Sequence, residues 1–150
     1  MNNFLEHNSH RRYNILTGEW ILVSPHRSKR PWQGQNETIE NKEVVKYDSD
    51  CYLCPGNTRI NGNQNPDYKD VFIFQNDFAA LKENYIPYSV NEGLLKAESE
   101  SGICRVICFS PDHSKSLADM KIPAITEVIE AWCQQYEELG QMENINYIQI

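Results

Sequence analysis

Cys51 and Cys54 enclose two residues and are followed at once by Pro55-Gly56. Two thiolates at that spacing can close on one metal ion, and a Pro-Gly turn is what a metal knuckle needs next. No second cysteine pair follows at a finger spacing, so the other ligands of a tetrahedral site must come from far along the chain. Of the four histidines, His113 is best placed, in a turn at the end of a strong candidate strand. A Cys-x-x-Cys pair is also found by chance or as a redox couple. The redox version wants a helix N-terminus after the first cysteine, which Pro55-Gly56 does not resemble. Spacing therefore favours zinc, while position alone leaves His113 an ordinary turn residue.

Arg27, Lys29 and Arg30 bring three cations within four residues, between Pro25 and Pro31. Guanidinium forks and a lysine point charge suit phosphate oxygens, but a solvated charged loop has the same composition. Arg11 and Arg12 read equally as surface charges. Asn76-Asp77 ends a candidate strand. A carboxylate there can accept two hydrogen bonds from a vicinal diol, and Asn-Asp also favours a plain Asx turn. From residue type alone the loop and the turn are the simpler readings. Cys104 and Cys108 share one strand face, Cys133 lies beside a helical stripe, and all three read as core thiols.

The elements that must position these groups follow from periodicity. Residues 20–24, 71–74 and 102–109 read as strands, the last rich in β-branched residues. Residues 25–35 and 57–68 read as loops, and 36–47 as an exposed excursion. Residues 82–101 are mixed in composition, show no clear pattern and read as exposed. The one clear helix spans about 123–139, with Pro123 in its first turn and Gly140 at its stop. Ile125, Val128, Ile129, Trp132, Tyr136 and Leu139 recur at helical spacing and predict its buried stripe. Residues 145–150 read as the start of another strand, inside which the sequence stops. That pattern predicts an N-terminal portion of a longer chain, with an unpaired edge prone to aggregation or dimerisation.

A length of 150 residues suits one domain with a usable core. The net charge of -7 argues against general nucleic-acid binding, although residues 1–30 are locally basic and could form an anion site. The first residues have no signal-peptide pattern, and no apolar run is long enough to span a bilayer. Five cysteines without framework spacing then read as reduced, cytoplasmic thiols.

Taken together, several stretches resemble the galactose-1-phosphate uridylyltransferase (hexose-1-phosphate uridylyltransferase) family. They are His10-Arg11-Arg12-Tyr13-Asn14, the run from Leu16-Thr17-Gly18-Glu19-Trp20 to Ser24-Pro25-His26-Arg27, Lys29-Arg30-Pro31-Trp32-Gln33-Gly34, Cys51 to Asn57, Asn65-Pro66-Asp67-Tyr68, Asn76-Asp77-Phe78, and Cys104 to Lys115 through Ser110-Pro111-Asp112-His113. They stand in the family's order and span nearly the whole chain. The resemblance implies an α+β fold with a histidine-triad-like antiparallel sheet and a flanking helix, of which this chain is the first, incomplete part. It implies UMP transfer from UDP-glucose to galactose 1-phosphate through a uridylyl-histidine, a role suited to imidazole.

By matching position, Cys51, Cys54 and His113 resemble three ligands of the family's zinc site. Arg27, Ser28, Lys29 and Arg30 resemble the loop that reaches UDP-sugar across a homodimer. Ile60 resembles a residue lining the uridine pocket, and Asn76 and Asp77 the pair on the nucleoside, with Asp77 on the ribose hydroxyls. The family's His-Pro-His, which carries the nucleophile and the fourth zinc ligand, and its iron site find no match in residues 1–150. The 150 residues alone are therefore expected to be inactive. Two other readings stand beside this one: a non-catalytic zinc-binding module, and a related nucleotidyltransferase with another acceptor.

Overall fold

A computed structural model describes residues 3–29 and 45–150. Along the chain run α1 (Phe4–His7), β1 (His10–Asn14), β2 (Glu19–Val23), a 3-10 turn (Pro25–Lys29), β3 (Phe72–Gln75), β4 (Ser89–Glu92), β5 (Leu95–Ser99), β6 (Arg105–Cys108), a second 3-10 turn (Leu117–Asp119) and α2 (Ile122–Gly140). The chain divides into two compact units, Met1–Asn36 with Phe78–Arg105, and Glu37–Asp77 with Val106–Ile150.

The first unit is built on a sheet of order β2-β1-β5-β4. Each neighbouring pair is antiparallel. Gly18 makes the β1–β2 reversal possible, because its φ of 74° is one that side-chain-bearing residues avoid. Arg11 faces Glu98 across the β1–β5 ladder and donates from Nε and Nη2 to Oε2 at 3.1 and 2.6 Å. Its guanidinium also lies 4.7 Å from the Trp20 ring, so Arg11 is a cross-strand clamp as well as a surface charge.

His10 is fully buried on this sheet. Arg12 Nε donates to His10 Nε2 at 2.9 Å. A guanidinium can only donate, so the imidazole proton sits on Nδ1 and is donated to the Asn8 carbonyl at 2.8 Å. Ser9 and Ser24 both donate to the Ala80 carbonyl at 2.7 Å, and His26 Nε2 donates to Ala79 at 2.7 Å. These bonds tie the Pro25–Lys29 turn to residues 79 and 80 of the same unit.

Residues 82–101, without a readable pattern in the sequence, form β4 and β5. Their burial is carried by the small residues Ala97 and Ser99, which leave no hydrophobic period to detect. The expected strand at 145–150 does not form: the backbone there has no ladder partner among the described residues.

The second unit holds β3 paired with β6, and α2. Pro123 occupies the first turn of α2, where its missing N–H costs nothing. Val128 and Ala131 are buried, and Ile125, Trp132 and Leu139 are partly covered. Ile129 and Tyr136, expected in the stripe, are 47% and 55% exposed. At about 100° per residue they stand roughly 100° and 80° around the helix from Val128, outside the covered arc. Cys133 lies farther still and is exposed, which corrects its reading as a core thiol. Cys108 is buried and Cys104 partly so.

Candidate functional site

Cys51, Cys54 and His113 come together in the second unit, with their ligand atoms all within 4.8 Å of one another. Cys54 Sγ lies 3.5 Å from His113 Nδ1. Ligands at about 2.0–2.3 Å from a tetrahedral ion sit roughly 3.5 Å apart, so the spacing and the donor chemistry fit a metal. His113 is brought in by the turn after β6, where its N–H donates to the Lys46 carbonyl at 2.8 Å. Burial pushes the Cys54 thiol up, with Cys51 beside it adding to the shift. A bound cation would reverse that preference and draw off the proton.

The knuckle that carries the two thiols is held by side chains that sequence reasoning left in an irregular loop. Asn57 Nδ2 donates to the carbonyls of Asp48 and Cys51 at 2.9 and 2.7 Å. Asn65 Nδ2 donates to Tyr52 and Cys54, both at 3.0 Å. Tyr68 Oη donates to Leu53 at 2.8 Å. Four consecutive carbonyls, from Cys51 to Cys54, each accept a side-chain bond. Burial pushes the Tyr68 phenol well up, which keeps it a donor. Gly56, at φ 75°, turns the chain out of the knuckle and donates to Pro66 at 3.2 Å. The signal for this clamp was the Asn-rich composition of residues 57–65, since an amide supplies two donors.

Residues 57–65 are in fact a narrow reversal. Asn65 N–H donates to Asn57 at 2.9 Å, and Arg59 N–H to Asn63 at 2.8 Å, with a bridge between Thr58 and Gln64. The reversal brings Arg59 and Asn61 to Asp77, which follows β3. Arg59 stacks on Phe74, its guanidinium 4.1 Å from the ring centre. Its Nη1 lies 3.8 Å from Asp77 Oδ1, with both side chains nearly buried. Asn61 Nδ2 donates to the same oxygen at 2.6 Å. Ile60 is 37% exposed. Asn76 lies between β3 and Asp77 and is partly buried.

The basic segment belongs to the first unit. Arg27, Ser28 and Lys29 sit on the Pro25–Lys29 3-10 turn rather than on a loop, and all three are exposed. Arg30 and the 36–44 part of the expected excursion lie outside the described residues. No described helix is long and apolar enough to cross a membrane.

Residues 2–150 match the family described as galactose-1-phosphate uridyl transferase, N-terminal domain. The chain belongs to this family. It is 51% identical to the galactose-1-phosphate uridylyltransferase of Haemophilus influenzae, over 87% of this chain and 38% of that protein. It is 48% identical to that of Hypocrea jecorina, over 85% and 35%, and 43% identical to that of Saccharomyces cerevisiae, over 93% and 40%. A solved uridylyltransferase structure is similar at a TM-score of 0.64 and 25% identity, covering 92% of this chain and 37% of that one. The chain thus spans well under half the length of the uridylyltransferases it matches. The comparisons agree with the antiparallel α+β reading and with the family recognised in the sequence.

Proposed function

We propose that the protein carrying these residues is a UDP-glucose–hexose-1-phosphate uridylyltransferase of galactose metabolism, moving UMP from UDP-glucose to galactose 1-phosphate. The observation that supports this best is that the family match runs from residue 2 to residue 150 and includes the Cys51, Cys54, His113 cluster. On this reading the metal is zinc, whose chemistry here is to bind loops together rather than to activate substrate. Cys51, Cys54 and His113 would hold it, with a fourth ligand from elsewhere in the polypeptide. Asp77 accepts hydrogen bonds from the ribose hydroxyls, Asn76 and Ile60 border the nucleoside, and Arg27, Ser28, Lys29 and Arg30 bind the sugar-nucleotide of a partner protomer in a cytoplasmic homodimer. The sheet belongs to a histidine-triad-like architecture of which residues 1–150 are the first part.

The transfer proceeds by attack of an imidazole nitrogen on the α-phosphorus of UDP-glucose. The bond to the bridging oxygen breaks, glucose 1-phosphate leaves, and galactose 1-phosphate then takes the uridylyl group. None of the four histidines is assigned as that nucleophile. His10 and His26 are held by Asn8, Arg12 and Ala79, His113 joins the thiols, and His7 lies in α1.

The test is UDP-glucose labelled in the α-phosphate, incubated with the full-length polypeptide and with residues 1–150 alone. The full-length protein is expected to acquire protein-bound label that galactose 1-phosphate discharges, and the shorter chain none. Absence of label on the full-length protein, or label on the shorter chain, would overturn the reading.

A further inference from the structure

Asp77 is not oriented by its own turn alone. Two side chains, Asn61 with Nδ2 at 2.6 Å and Arg59 with Nη1 at 3.8 Å, approach the same oxygen, Oδ1. Neither occupies Oδ2. Asn61 is itself locked, because its Oδ1 accepts the Asn63 N–H at 2.9 Å while its Nδ2 serves Asp77. Gly62, at φ 88°, makes the reversal that allows both bonds. Arg59 is fixed by its stack on Phe74 and by the backbone pairing of the reversal. Its Nε and Nη1 are buried without a hydrogen-bond partner. The charge that this buried guanidinium faces is the Asp77 carboxylate.

We propose that Arg59 and Asn61 are positioning residues that hold the Asp77 carboxylate with one oxygen anchored and the other presented to a ribonucleoside diol. They thereby set the preference for ribose over 2′-deoxyribose. The proposal rests on the reading of Asp77 as the ribose contact. A carboxylate oxygen accepts a ribose hydroxyl well only when the carboxylate plane is fixed; the Asn61 hydrogen bond to Oδ1, with the Arg59 charge beside it, fixes it. Arg59 and Asn61 touch the carboxylate; neither is assigned a contact with substrate.

The test is titration calorimetry of the full-length polypeptide with UMP and with 2′-deoxy-UMP. The wild type is expected to favour UMP by about tenfold, the worth of one well-made hydrogen bond to a charged group. Asn61→Ala, at an exposed position that does not threaten folding, is expected to shrink that ratio to about twofold while leaving 2′-deoxy-UMP affinity nearly unchanged. Arg59→Lys keeps the charge but loses the planar stack and is expected to act in the same direction. If Asp77→Asn abolishes the preference while Asn61→Ala and Arg59→Lys retain the wild-type ratio, the positioning role is wrong and the Asp77 reading stands. If Asp77→Asn leaves both the affinity and the ratio unchanged, the Asp77 reading fails and takes the proposal with it.

Discussion

Cys54 and His113 stand 59 positions apart in the chain and 3.5 Å apart in space. Cys54→Ser is expected to abolish stoichiometric zinc, measured by elemental analysis of the purified full-length protein, because a hydroxyl is a poor substitute for thiolate. Asn65→Ala makes a finer test. It strips one amide from two knuckle carbonyls at once. Leaving them unpaired costs about 1–3 kcal/mol, and zinc affinity is expected to fall about 10–100-fold, as when other outer-shell partners are lost. Competition with a chromogenic chelator reads the affinity, and a thermal melt reads the stability. The two thiols were legible from their spacing and His113 from the family resemblance. Asn57, Asn65 and Tyr68 were not, because a side-chain bond to a backbone carbonyl leaves no period in the sequence.

At the scale of elements, α2 was the most legible, since Pro123, Gly140 and the apolar spacing all agree on its limits. The side it buries was misjudged by part of a turn. Val128, 1% exposed, is expected to cost about 1–3 kcal/mol when replaced by Ala. Ile129→Lys, on the exposed flank, is expected to change stability by less than about 0.5 kcal/mol. Chemical denaturation of the two variants separates the structural stripe from the one drawn by apolar residue type alone. β4 and β5 escaped notice because the residues they bury, Ala97 and Ser99, are small, and the larger Leu94 and Leu95 are 70% and 71% exposed. Residues 145–150 show the converse. Their alternation suits a strand, but a strand exists only with a neighbour to complete its hydrogen bonds.

For the molecule as a whole, the buried apolar residues among those described are Cys54, Ala97, Cys108, Val128 and Ala131. Of these, only Val128 is the kind of side chain that contributes roughly 1.5–3 kcal/mol when buried. Meanwhile Trp20, Ile21 and Leu22 along β2 are 40%, 50% and 45% exposed. Residues 1–150 expressed alone are therefore expected to melt broadly at low temperature and to self-associate. Ile21→Lys with Leu95→Lys should reduce the association, as read by sedimentation velocity. A sharp, cooperative, monomeric transition in the unsubstituted chain would contradict this.

The sequence by itself determined the thiol pair, the basic segment, the long helix and, through its ordered motifs, the family. Those are matters of residue type and local spacing, which the linear chain displays directly. Only the tertiary structure decided that four knuckle carbonyls share a clamp, that Arg59 and Asn61 converge on one oxygen of Asp77, and that His10 is a buried, neutral member of the sheet. Each of those depends on chain reversals that bring distant polar atoms within bonding distance, and the geometry of a reversal is not written in the residues on either side of it.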